Sequence, residues 1–205
     1  QVVDVLGLAR NAAVTVRIAN VNETPNVAAQ SFSILENSAV GSVVGTVVAS
    51  DPEGQALTYS ILSGNTSNAF VIDSQTGVLR VNNSSVLDFE TRTSLTLSVQ
   101  VADVLGLARS AAVTVRIANV NETPTVLPQS FTILANSPIG SVVGTVVATD
   151  PERAALSFTI ISGNNANQFS LNAATGVITV NSAIPPGTAP TSLSVQVSDP
   201  GGLTA

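Results

Sequence analysis

The side chains able to do chemistry in this 205-residue chain are its 13 carboxylates and a scatter of asparagines and hydroxyls. There is no His, Cys, Lys, Met or Trp. The absence of histidine and cysteine removes the usual proton relay and the thiol nucleophile. The absence of lysine removes Schiff bases, Ser–Lys pairs and Lys–Asn isopeptide staples. Asp88 and Glu90 form a carboxylate pair of the general kind that glycoside hydrolysis uses, but they sit two positions apart in one short motif. The chain is therefore read as non-enzymatic. Its seven basic residues are all Arg and lie far apart, at 10, 17, 80, 92, 109, 116 and 153, and the net charge is −6. Phosphate binding needs clustered cations, so a nucleic-acid partner is excluded.

The acids recur with a period. Gln1–Pro25 returns almost unchanged at Gln100–Pro124, 99 residues on, with differences only at Val3/Ala102 and Asn11/Ser110. Ser31–Glu53 returns as Ser130–Glu152, Leu57–Asn65 as Leu156–Asn164, Phe70–Asn82 as Phe169–Asn181, and Ser94–Asp103 as Ser192–Asp199. The array is thus cut inside a repeat. Residues 1–22 read as the last strand and linker of a preceding repeat. Residues 23–122 read as one complete repeat, and 123–205 as a repeat lacking its seventh strand. With no initiating Met, no signal peptide and no apolar run long enough to span a bilayer, the chain reads as a processed product or a piece of a longer protein.

Every segment has strand character. Leu95, Leu97, Val99 and Val101 alternate with polar residues, as do Val113, Val115 and Ile117. Turn signals such as Asp51-Pro52-Glu53-Gly54 and Ser63-Gly64-Asn65 separate the runs. The complete repeat is expected to hold strands at about 31–35, 43–50, 57–63, 69–73, 77–81, 94–102 and 109–119. The third repeat is expected to hold the first six, and Ala9–Ala19 to be an orphan seventh strand. Seven strands with turns every 8–12 residues predict an all-β chain of tandem Greek-key sandwiches, stacked as a linear rod.

Particular motifs sit at particular points of this pattern. They are Leu35-Glu36-Asn37, Asp51-Pro52-Glu53, Asp150-Pro151-Glu152, Leu87-Asp88-Phe89-Glu90, and the acids Asp103 and Asp199 that end the sixth strands. The linkers are Asn119-Val120-Asn121-Glu122-Thr123-Pro124 and Asn20-Val21-Asn22-Glu23-Thr24-Pro25. In order and spacing they resemble cadherin repeats of a bacterial type, over nearly the whole chain. The resemblance implies Ca²⁺ between successive repeats, where 6–8 oxygen ligands must be gathered from both sides of a linker. For the junction at 119–124 it implies Glu36, Asp88 and Glu90 from upstream, Asn119, Asn121 and Glu122 from the linker, and Asp150, Glu152 and Asp199 from downstream. For a weaker junction at 20–25 it implies Asn20, Asn22, Glu23, Asp51, Glu53 and Asp103. The family pattern has Asp where Asn119 and Glu122 stand. Arg153 replaces Gly54 beside the downstream acids. In the third repeat Ala135 replaces Glu36, and Ser182–Ser192 replaces the segment carrying Asp88 and Glu90, so a junction after it lacks upstream carboxylates.

Two structural roles fit. One is a fibre of copies stacked end to end, in which Val14, Val16 and Ile18 of Ala9–Ala19 complete the third repeat of the next copy; the partner is then self. The other is a stalk cut from a giant calcium-stiffened surface adhesin. Homophilic adhesion through an inserted Trp is not supported. A bias toward Val, Thr, Ser, Ala and Asn with few charges suits an extracellular, bacterial cell-surface protein.

Overall fold

The computed structural model describes residues 1–205. Its strands, in chain order, are β1 (Val2–Val3), β2 (Ala9–Arg10), β3 (Asn26–Val27), β4 (Gln30–Leu35), β5 (Val43–Thr46), β6 (Ala49–Ser50), β7 (Thr58–Ser63), β8 (Phe70–Ile72), β9 (Val78–Val81), β10 (Ser94–Ala102), β11 (Ala108–Ala118), β12 (Thr125–Val126), β13 (Val142–Thr145), β14 (Ala148–Thr149), β15 (Ser157–Ser162), β16 (Phe169–Leu171), β17 (Val177–Val180) and β18 (Ser194–Ser198). The only helical elements are two single 3-10 turns, Thr66–Asn68 and Ser84–Val86. The chain is all-β, as its alternation predicts.

Its internal contacts divide it into two compact units that cut across the sequence repeats. One contains Gln1–Phe32, Ala39–Asn83 and Leu95–Val115; the other contains Ser33–Ser38, Ser84–Ser94 and Arg116–Ala205. The second unit thus collects the linker-facing loops of the complete repeat, the 119–124 linker and the whole third repeat.

In the complete repeat the strands form a four-stranded sheet in the order β4-β11-β10-β7, a three-stranded sheet β5-β9-β8 and a short β3-β6 pair. The period-2 pattern places Leu97, Val99, Val101, Val113 and Val115 fully inside, with polar residues between them facing out. The β10/β11 pair keeps one register along its length. The Ile117 N–H donates to the Thr93 carbonyl at 2.9 Å, and the Thr96 and Thr114 hydroxyls meet at 3.2 Å.

The expected strand at 43–50 is broken at Val47–Val48. There the Gln30 side chain replaces a strand neighbour: its amide oxygen accepts from the Val48 N–H at 3.0 Å and its amide nitrogen donates to the Val48 carbonyl at 2.9 Å. Gln129 does the same for Val147.

The third repeat builds sheets β13-β17-β16, β15-β18 and β12-β14 around Val146, Phe158, Ile178 and Val197. It departs from expectation at its first strand. Ser130–Leu134, the counterpart of β4, forms no strand. In the complete repeat β4 is an edge strand whose sheet neighbour is β11. The third repeat contains no counterpart of β11 within these residues, so that backbone has no ladder to join. Phe131 is 38% exposed, although its ring still lies over Gly144, where an added Cβ would come within 2.2 Å of it. Phe32 covers Gly45 in the same way in the complete repeat.

The orphan segment also differs from expectation. Strand pairing covers only Ala9–Arg10, in a hairpin that sets Val2 opposite Arg10 and Val3 opposite Ala9. Residues 11–20 run on unpaired, with Val14, Val16 and Ile18 exposed by 83%, 81% and 95%.

Candidate metal centre

The 119–124 linker follows β11, and its carboxylate neighbours come from three loops of the same compact unit. Glu36 directly follows β4. Its N–H donates to the Ala118 carbonyl at 3.0 Å, which fixes it beside the end of β11. Its side chain is buried, and each oxygen accepts one backbone bond: Oε1 from the Val120 N–H of the linker and Oε2 from the Phe89 N–H, both at 2.7 Å. Glu36 therefore clamps the linker to the 87–90 loop. Asn37, in left-handed conformation (φ 56°), donates from its side chain to Glu122 at 2.7 Å and from its backbone to the Leu87 carbonyl.

Carboxylate oxygens of Glu36, Glu90 and Glu152 all lie within 4.8 Å of one another. Glu152 Oε1 accepts from the Glu122 N–H at 3.1 Å, and its Oε2 is buried with no hydrogen-bond partner. Asp150 repeats this pattern: Oδ1 accepts from the Ala154 N–H at 3.0 Å, while Oδ2 is buried and unpartnered. Asp199 is tied by Asn121, whose amide donates to Oδ2 at 2.6 Å, and by the Leu203 N–H at 2.9 Å. That bond fixes the Asn121 amide in place. Gly201 makes room for it, since a Cβ there would come within 2.6 Å of the amide nitrogen.

The electrostatics match the geometry. Glu90 is exposed, but partial desolvation of its carboxyl, together with the charges of Glu36, Glu152 and Glu122, pushes it above its ordinary value. Two like charges about 4 Å apart repel by about 1 kcal/mol in bulk water and by about 4 kcal/mol near a protein surface. Three such acids, with two orphaned buried oxygens beside them, fit a hard divalent cation with oxygen ligands.

Not every predicted ligand joins the cluster. Asp88 is exposed and spends both oxygens on its own loop, accepting from the Thr91 N–H and hydroxyl at 2.9 Å each. Asn119 is exposed at the linker start. The structure thus brings Glu36, Glu90 and Glu152 together, with Glu122 bonded to Glu152 through its N–H.

The 20–25 linker shows the downstream half of the same design. Asn20 donates to Glu53 at 3.2 Å, the Glu23 N–H donates to the other Glu53 oxygen at 3.2 Å, and Asn22 donates to Asp103 at 2.6 Å. Asp51 Oδ1 accepts from the Glu53 and Gln55 N–H groups, and its Oδ2 is buried without a partner. Gln55, which no motif singles out, donates to the Asn22 side-chain oxygen. Burial pushes Asp103 up. The amide of Asn22 and the N–H groups of Leu105, Leu107 and Gly106 outweigh it and hold the carboxyl below its ordinary value. Asp199 is depressed for the same reasons, with Asn121 in the place of Asn22. No upstream carboxylate faces this linker within the chain, so the three-acid cluster has no counterpart here.

A sandwich repeat whose outgoing linker is clamped by one buried glutamate, among acids from three loops, defines a tandem β-sandwich module with an acidic repeat junction. Residues 30–118 match the cadherin domain family. The chain is 38% identical over 140 residues to cadherin-23 of Rattus norvegicus, a match covering 64% of this chain and 4% of that protein. It is 30% identical over 179 residues to human cadherin-related family member 2, covering 82% of this chain and 14% of that protein. The solved EC1-2 fragment of human protocadherin-24 (form II) superposes with a TM-score of 0.73 at 25% identity, covering 89% of this chain and 90% of that one. The chain thus spans a small fraction of the full-length relatives. Cadherin domains are extracellular and generally bind Ca²⁺ at repeat junctions. No helix of this chain is long and apolar enough to cross a membrane.

Proposed function

We propose that this segment is a structural element of an extracellular fibre. Its cadherin repeats are set end to end, and the third repeat receives its seventh strand from within the Ala9–Ala19 segment of a neighbouring copy. One contrast carries this reading. Ala12–Asn22 and Ala111–Asn121 have the same sequence, yet Val113, Val115 and Ile117 are 0%, 0% and 3% exposed while Val14, Val16 and Ile18 are bare. The bare copy has the pattern of a buried strand, and Ser130–Leu134 of the third repeat has no strand neighbour to pair with. Deleting Gln1–Ala19 is expected to leave monomers whose third repeat is cut readily by protease. Equal assembly of the truncated chain would reject strand donation.

Within this reading Ca²⁺ binds at the 119–124 junction, held by Glu36, Glu90 and Glu152 with Asp150, Asn121 and Glu122. The convergence of the three glutamates supports it. Calorimetric titration of Ca²⁺ is expected to show a site that Glu90→Gln weakens at least tenfold, equivalent to about 1.4 kcal/mol. An unchanged isotherm in the variant would remove the cluster from the site. The 20–25 junction, with only its downstream half present, is expected to bind more weakly.

A second reading has one observation in its favour. The relatives are far longer than this chain. In a long stalk the residues that follow directly in the same polypeptide would supply the missing strand in cis.

A further inference from the structure

Resting on the calcium reading of the repeat junctions, we propose that Gln55 supplies its side-chain oxygen, together with Asp51 Oδ2, to a cation at the 20–25 linker, and that Ala154 denies the 119–124 linker the same oxygen. A chain of amides with one possible direction leads to Gln55. Asp103 is buried, and its carboxylate only accepts hydrogen bonds. The Asn22 group that meets Asp103 Oδ2 at 2.6 Å is therefore the amide nitrogen. That turns the Asn22 oxygen toward Gln55, whose amide nitrogen donates to it. The Gln55 oxygen is thereby held on the far side of its own amide.

That oxygen, Oε1, is buried and has no hydrogen-bond partner. Asp51 Oδ2 is likewise buried and unpartnered. One turn ties the two residues together: Asp51 Oδ1 accepts from the Glu53 N–H at 3.0 Å and from the Gln55 N–H at 3.1 Å. Neither orphan is relieved by turning its own group. A turned Gln55 amide would set its oxygen against that of Asn22, and a turned Asn22 would set its oxygen against Asp103. A turned Asp51 carboxylate only exchanges one oxygen for the other. The nearby linker donors are already spent, Asn20 and the Glu23 N–H on Glu53 and Asn22 on Asp103. Buried oxygens without partners are costly. One anionic and one amide oxygen are ligands of the kind a hard divalent cation gathers.

The next repeat keeps the turn and loses the amide. Asp150 Oδ1 accepts from the Ala154 N–H at 3.0 Å, as Asp51 Oδ1 does from that of Gln55, so Ala154 is the equivalent residue. Asn121 donates to Asp199 Oδ2 at 2.6 Å, as Asn22 does to Asp103. The chain of amides stops at Asn121, because a methyl side chain neither donates nor accepts. The orphaned oxygens of this second turn are both carboxylate oxygens, Asp150 Oδ2 and Glu152 Oε2. The two half-sites thus differ in charge, with one carboxylate and one amide at the first against two carboxylates at the second. Asn22, Asp51, Gln55 and Asp103 all belong to one compact unit.

A Ca²⁺ titration of the full chain, followed by its amide NMR signals, reads both junctions at once. The Asn22 and Gln55 side-chain amides and the Glu53 N–H report the first, and the Phe89 and Val120 N–H groups report the second. Calcium is expected to shift the Gln55 side-chain signal. Gln55→Ala should raise the midpoint at Glu53 and Asn22 at least tenfold and leave the midpoint at Phe89 and Val120 unchanged. Gln55→Glu separates a ligand from a prop for Asn22, since it keeps an oxygen and loses the donor. A ligand predicts a midpoint at or below the wild-type value, and a prop predicts a rise. Gln55 lies in a loop, and circular dichroism checks that both variants fold. An unchanged midpoint in Gln55→Ala, or a raised one in Gln55→Glu, overturns Gln55 as a ligand and leaves the calcium reading standing. Shifts at Phe89 and Val120 with none at Glu53 and Gln55 overturn the 20–25 site alone. No calcium-dependent shift at either junction overturns the calcium reading itself.

Discussion

Glu36 does two jobs at once: it closes the linker against the 87–90 loop through two backbone bonds and adds a charge to the cluster. Arg153 works against the second of these. It stands in left-handed conformation (φ 58°) where the equivalent residue is Gly54 (φ 71°), and it brings a cation next in sequence to Glu152. Arg153→Gly is expected to stabilise the chain by about 1 kcal/mol and to tighten Ca²⁺ binding; thermal melts and a calcium titration check the two effects separately. The pH dependence has a defined sign. Glu90 titrates above its ordinary value, so without calcium the native state holds more protons than the unfolded state between those two values, and stability falls as pH rises through that window. Asp103 and Asp199 titrate below theirs, so their contribution is complete above the ordinary aspartate value and is lost as pH falls from there through their lowered native values. Denaturant midpoints in chelator should therefore rise as pH climbs toward the ordinary aspartate value and fall as it climbs beyond the ordinary glutamate value, and calcium should abolish the fall. The three glutamates that converge were legible in the sequence because they sit in ordered motifs. Asp88 shows where that legibility stopped: a motif position does not say that Thr91 will take both carboxylate oxygens.

Strands were legible wherever alternation met a partner. β10 and β11 lie where Leu95–Val101 and Val113–Ile117 predicted them, because both faces of the pattern are used. Ser130–Leu134 has the same alternation as Gln30–Leu35 and forms no strand, since pairing depends on a neighbour that residue patterns cannot display. The Gln30 and Gln129 side-chain bridges were invisible for a related reason: an amide that imitates a strand edge leaves no periodic trace. Equal sequences in unequal settings give a paired test. Ile117→Ala, at a buried site, is expected to cost about 2–5 kcal/mol of stability. Ile18→Ala, at an exposed one, should leave the monomer's melting unchanged and weaken assembly. Denaturant unfolding of the monomer and sedimentation of the assembled chain separate the two.

At the scale of the molecule the two kinds of junction differ in chemistry. In the third repeat the Asn136 N–H still donates to the Ile184 carbonyl at 2.8 Å, as Asn37 donates to Leu87, so the loop scaffold is kept. Its acids are gone, with Ala135 in the place of Glu36. A cadherin array carrying this chain is therefore expected to stiffen with calcium at 119–124 and to be insensitive to it after the third repeat. Hydrogen exchange with and without chelator tests this at the Phe89 and Val120 amides against the Asn136 amide. The central claim is that the bare segment after Arg10 is a strand awaiting the third repeat of another copy. Electron microscopy of the purified 205-residue chain in calcium tests it most directly. The account predicts filaments that the single change Ile18→Asp abolishes, and wild-type protein that stays as short separate particles at every concentration would contradict it.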